Sequence, residues 1–150
     1  MLDPLSYVPH RGKMQWLEGI LTVDDDQVLA RATVSPDHLF VRAGHLPAWC
    51  LVEYMAQAVA AWAGNRAKVA GRDVKVGYLL GTRRFEPVRS GVPAGAVLDV
   101  RARCELMGDN GLGMFACEIE WRGEVIARAN LSVFEPPDEA AFLETTEEIR

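Results

Sequence analysis

"AGHLPAWCLVEYMAQAVAAWAG", residues 43–64, decides the fold of this 150-residue chain. From Ala48 to Ala63 only Glu53 and Gln57 interrupt a run of apolar residues. Pro47 suits the first helical position, because its missing N–H would go unpaired there anyway, and Gly64 is the expected stop. Apolar side chains fall on every face of such a helix. A helix apolar all round is buried on all sides rather than laid on a surface. Its sixteen residues, with a glutamate and a glutamine inside, are too short and too polar for a membrane span.

The flanking sequence supplies strands to cover that helix. "LEGILTVDDDQVLARATV", residues 17–34, predicts two strands joined by an acidic turn at Asp24, Asp25 and Asp26. In the second, Val28, Ala30, Ala32 and Val34 alternate with Leu29, Arg31 and Thr33. "SPDHLFVRAGHLP", residues 35–47, has no period and is read as loop. Beyond the helix, "VKVGYLLGTRRFEPV", residues 74–88, is a strand. In "AVLDVRARCELM", residues 96–107, Leu98, Val100, Ala102, Cys104 and Leu106 form one alternating face. "GMFACEIEW" and "EVIARANLSVF" follow, joined at Arg122-Gly123 by a tight hairpin turn, so the last three strands make an antiparallel meander. The residues from Glu135 onward are acidic and carry two prolines, with Phe142 and Leu143 able to dock a short helix.

One long buried helix with five to seven strands is an α+β arrangement. The economical way to bury the helix is to wrap a curved antiparallel sheet around it, which is the hotdog architecture. The expected organisation is one domain over residues 1–150, with a core at about 5–134 and an acidic tail at 135–150.

Composition narrows the function. A net charge of −5 disfavours nucleic acid as a partner, since binding it requires a basic surface. Cys50, Cys104 and Cys117 are far apart and form no CxxC pair, so they are read as buried fillers in a reducing compartment. The opening "MLDPLSYVPHRGK" lacks a charged head followed by an apolar run, and no signal peptide or membrane association is expected. The expected location is cytoplasmic. No phosphate loop, dinucleotide glycine pattern or Gly-x-Ser-x-Gly elbow is present, so no cofactor is expected. His38, His45 and Glu53 are metal-ligand types, but their spacing fits no metal motif and no metal is assigned.

Four stretches, taken in order, resemble the 3-hydroxyacyl-acyl-carrier-protein dehydratases. "YVPHRGKMQWLEGILTVDDD" resembles that family's opening, where Leu-Pro-His-Arg precedes the first strand. "LPAWCLVEYMAQAVA" resembles its central helix, "GYLLGTRRFEPVRSGVPAGAVLDVRA" its Tyr-Leu-x-Gly to Pro-Gly-Asp segment, and "FACEIEWRGEVIARANLSVF" its terminal hairpin. The phrases "LPAW", "EYMAQ" and "LLGTRR" are most similar to the dehydratase-like variant of aryl-polyene clusters.

The resemblance implies removal of water across C2–C3 of a 3-hydroxyacyl thioester on acyl carrier protein. A base must take the C2 proton and an acid must protonate the departing hydroxide. It also implies a homodimer, or a heterodimer with a paralogous dehydratase, in which one subunit lends a histidine and the other a carboxylate. Glu53 falls on the family's carboxylate. Among Leu51, Val52, Met55 and Ala56 it is expected to be desolvated, raised in pKa and protonated, as an acid catalyst requires. The bland alternative is a glutamate that reaches solvent or caps a neighbouring backbone group. Gln57, four residues on, shares its face and either orients Glu53 or satisfies a backbone group in the sheet. The free N–H groups at Ala48 and Trp49 would hold the thioester carbonyl.

The histidine loop departs from the family. There the catalytic His lies eight positions before the helix proline, and counting back from Pro47 gives Leu39. His38 becomes the base if the loop carries one extra residue. His45, in "GHLP", is the alternative if the loop is shortened. A third reading makes neither of them catalytic. His10, in "PHR", is read as structural. Arg83, Arg84 and Arg89 form the most basic run and either steer an acidic carrier protein or are a solvated strand end. The competing functions are a hotdog acyl thioesterase and a silent subunit that stabilises an active dehydratase.

Overall fold

The computed structural model describes residues 1–73 and 77–136. The acidic turn folds as expected, with β1 (Gly19–Val23) and β2 (Gln27–Thr33) pairing antiparallel. Asp24 makes the turn by accepting the N–H groups of Asp26 and Gln27 on Oδ1 at 2.8 and 2.9 Å. The 35–47 segment is loop until β3 (His45–Pro47), a short strand that the sequence pattern does not announce. β3 pairs with β5 (Gly91–Pro93) in a separate two-stranded sheet. This pairing explains why Pro47 is not helical: its ψ is 148°, extended, and it caps a 3₁₀ turn at Ala48–Cys50.

Helix α1 therefore starts later than expected, at Leu51, and runs to Val69. It passes through Gly64 rather than stopping there. A Cβ at Gly64 would run into the Tyr7 carbonyl, so this glycine lets the opening segment lie against the helix. The Lys68 ammonium, 4.7 Å from the Tyr7 ring centroid, holds the same crossing. The strand over Tyr78–Pro87 is β4; the first part of its predicted stretch, residues 74–76, lies outside the described residues, as does the docking of Phe142 and Leu143.

β6 (Val97–Met107), β7 (Leu112–Trp121) and β8 (Glu124–Phe134) form the expected meander. Arg122 and Gly123 have φ of 54° and 77°, the two left-handed positions of a tight hairpin turn. The six-stranded sheet runs β1-β2-β6-β7-β8-β4 with every pairing antiparallel. The core lies between this sheet and α1: Val28, Ala30, Ala32, Leu98, Val100 and Ala102 meet Met55, Ala58 and Trp62. The alternating face of β6 ends early. A bulge between Cys104 and Leu106 opposes two residues to one, and Leu106 is turned out to solvent.

One expectation about α1 fails. Within the chain it is not buried on all sides: Val52, Glu53, Ala56, Ala60 and Ala63 are half-buried, a strip at helical spacing that the sheet does not cover. No helix among the described residues is long and apolar enough to cross a membrane.

Candidate active site

Glu53 stands in the first turn of α1, on the uncovered strip. Its Oε1 accepts a hydrogen bond from Gln57 Nε2 at 3.0 Å, the i, i+4 contact that the helix builds. Gln57 is wholly buried and fully used. Its Nε2 also donates to the Met14 carbonyl at 2.7 Å, and its Oε1 accepts the Trp16 N–H at 2.9 Å. It thus orients Glu53 and satisfies backbone groups together, and that backbone belongs to the opening loop rather than to the sheet.

The same loop brings His10 Nε2 to 3.4 Å from Glu53 Oε1. The sequence marks His10 only as structural, because nothing in "PHR" says that residues 43 positions apart will meet. Arg11 shapes this loop, donating to the carbonyls of Val8, His10 and Leu5 at 2.6, 2.7 and 2.9 Å.

These contacts reverse the expected charge state of Glu53. Burial pushes the carboxyl up, as predicted. The hydrogen bonds from His10 and Gln57, with the charge of His10, together push harder the other way, so Glu53 sits below its ordinary value. Near neutral pH it is a carboxylate, not the protonated acid the sequence suggested.

His10 and Glu53 line a cavity of about 280 Å³. Ala56, Ala60, Trp62, Phe115 and Val133 give it apolar walls, and Glu135 is a second carboxylate on its lining. Its size and apolar character suit a small acyl group.

The structure puts His38 elsewhere. Its Nδ1 accepts the Phe40 N–H at 3.1 Å, and its ring lies 4.2 Å from Trp16, with Phe40 and Tyr54 close by. Its Nε2 is buried without a hydrogen-bond partner among the described residues. With Nδ1 accepting, the neutral ring carries its hydrogen on Nε2 and is a donor there. Burial holds the imidazole below its ordinary value. It lines a separate depression with Lys13, Thr33, Asp37 and Tyr54. His45 is exposed on β3, its Nδ1 3.5 Å from the Ala43 carbonyl. No hydrogen bond or ion pair joins His38 or His45 to Glu53 in the chain.

At the helix start, Ala48 N–H already donates to the Ser90 carbonyl at 2.9 Å, so that amide is not open as expected. Trp49 is 60% exposed and meets Phe40 edge-on at 5.2 Å. Of the three arginines, Arg84 pairs with Glu86 and Arg89 with Glu124, while Arg83 is exposed and has no ion pair among the described residues. The cysteines are free, and burial lifts Cys50 to about 11 and Cys117 to about 12, which makes both inert fillers.

Comparison with known proteins gives the fold and the family. The dehydratase heterocomplex ApeI:P from Xenorhabdus doucetiae contains a chain 31% identical to this one, with a TM-score of 0.88, covering 97% of this chain and 98% of that one. The TT0310 protein from Thermus thermophilus is 20% identical with a TM-score of 0.63, covering 90% and 99%. A hypothetical thioesterase with coenzyme A from Streptococcus pneumoniae TIGR4 is 14% identical with a TM-score of 0.62, covering 87% and 88%. These two share the fold alone, the hotdog. A search of curated proteins finds no match. The family model described as ApeP-like, ApeP dehydratase, matches residues 2–144, and the chain belongs to that family.

Proposed function

We infer, from that membership, that this chain serves the dehydration of a 3-hydroxyacyl thioester carried on acyl carrier protein, with Glu53 as the group that handles the substrate's protons. One observation carries the reading: Glu53, fixed by His10 and Gln57, opens on an apolar cavity of about 280 Å³. A carboxylate beside an acyl-sized slot is what proton transfer at C2 and C3 requires, and Trp49 and exposed Arg83 are surface features that a carrier protein can meet. His38 and His45 enter the chemistry only if a second chain brings one of them to Glu53.

A second reading is favoured by the chain's similarity to a member of a heterocomplex. Here the chain supports an active paralogous dehydratase and does no chemistry itself. One assay separates these readings. The chain, alone and mixed with a paralogous dehydratase subunit, is given a 3-hydroxyacyl thioester on carrier protein. Enoyl absorbance without free thiol is expected, and Glu53→Gln abolishes it while His38→Ala and His45→Ala keep most of it. Free thiol means a thioesterase. Full activity of a Glu53→Gln mixture makes the chain a silent partner, and loss in His38→Ala places that imidazole in the site.

A further inference from the structure

The opening loop is built around one contact. Arg11 ties together three carbonyls within residues 5–10, and Tyr7 is seated on Gly64. His10 is thereby fixed with Nε2 toward Glu53 and with Nδ1 buried and without a partner among the described residues. Gln57 cannot turn away, since Met14 and Trp16 hold its amide from the other side. Glu53 Oε1 thus faces two donors that are themselves held in place. Donors converging on a carboxyl oxygen favour its charged form.

We propose that His10 is a positioning residue of this site: with Gln57 it fixes Glu53 as a carboxylate at the cavity, so that Glu53 begins the reaction as a proton acceptor. This rests on the dehydration reading above. Glu53 takes the C2 proton. The C2–H electron pair becomes the C2=C3 double bond as the C3–O bond breaks. The departing hydroxide then recovers the same proton from the Glu53 carboxyl and leaves as water. Atoms and charge balance on one carboxylate.

Few other groups compete for control of Glu53. Gln57 faces it from α1 and His10 from the opening loop, while Arg11 is spent on carbonyls. The cavity wall from β4, β6, β7 and β8 presents Leu79, Met107, Phe115 and Val133, none of them ionisable. Glu135 is the one further titratable group among the described lining residues.

The test is a carboxyl-carbon NMR titration of Glu53 in the full chain, with the kcat/KM pH profile of dehydration alongside. His10→Ala is expected to raise the Glu53 titration, because burial is then opposed by Gln57 alone, and to move the acid limb upward by the same amount. His10→Gln, which keeps a donor, restores part of the shift. An unmoved Glu53 titration in a folded His10→Ala chain overturns the proposal, even if thermal stability falls. The titration needs no turnover, so inactivity on every thioester refutes the dehydration reading while the NMR still judges the role of His10.

Discussion

At the residue scale, the site is governed by hydrogen bonds that outweigh burial. Glu53 is desolvated, yet two donors on Oε1 keep it charged. His38 shows the opposite balance. Burial lowers it, and protonation would also cost the Phe40 N–H bond accepted by Nδ1. The consequences for stability occupy different pH windows. The unfolded chain takes up the His38 proton near 6.5, before the folded chain does, so the contribution of His38 is complete above that value and is lost as pH falls through the lower folded value. The Glu53 contribution is complete above 4.5 and is lost only as pH falls through its still lower folded value. His38→Asn keeps an acceptor for Phe40 without a titrating ring. Denaturant unfolding at pH 7.5 and 5.5 should show a smaller acid-induced loss of stability in His38→Asn than in the parent; equal losses would mean that His38 is not the sensor.

At the element scale, α1 shows a glycine acting against its usual reading. In a helix interior alanine is better than glycine by about 0.5–1 kcal/mol, so propensity predicts that Gly64→Ala stabilises. The Tyr7 carbonyl occupies the space a Cβ needs, and forcing the opening segment away costs about 1–3 kcal/mol. The clash wins, and Gly64→Ala should lower the denaturation midpoint without changing the slope. Since the same segment carries His10, the substitution should also loosen the Glu53 contact. A raised midpoint would show that the crossing yields without cost. The bulge in β6 makes a related point: alternation identified the buried face through Ala102 but could not place the extra residue that turns Leu106 outward.

At the scale of the whole molecule, the described residues leave two features open. β4 is an edge strand with Leu79 and Leu80 exposed, and the Ala56–Ala60–Ala63 strip of α1 is half-buried beside the cavity. Both are surfaces that a second chain could cover, in keeping with the proposed partnership with a paralogous dehydratase. Equimolar mixing should give a one-to-one species in analytical ultracentrifugation, at the expense of whatever the chain forms alone. If the two proteins sediment independently, the partnership is refuted.

The sequence by itself determined the architecture. Alternation in β2 and β6, the Asp24 turn, the Arg122-Gly123 hairpin and the apolar helix each encode local geometry, and together they leave little choice but a sheet packed on α1. Glu53 and Gln57 were legible for the same reason: polar groups inside an apolar helix stand out, and their spacing puts them on one face. The tertiary structure alone decided what surrounds them. His10 reaches Glu53 because Gly64 admits Tyr7 and Arg11 bends the loop, and His38 is closed in by Trp16, Phe40 and Tyr54. Local pattern reports which face a side chain points from. Whether a half-buried carboxyl is charged depends also on donors that arrive from distant parts of the chain, and only the folded path brings those to it.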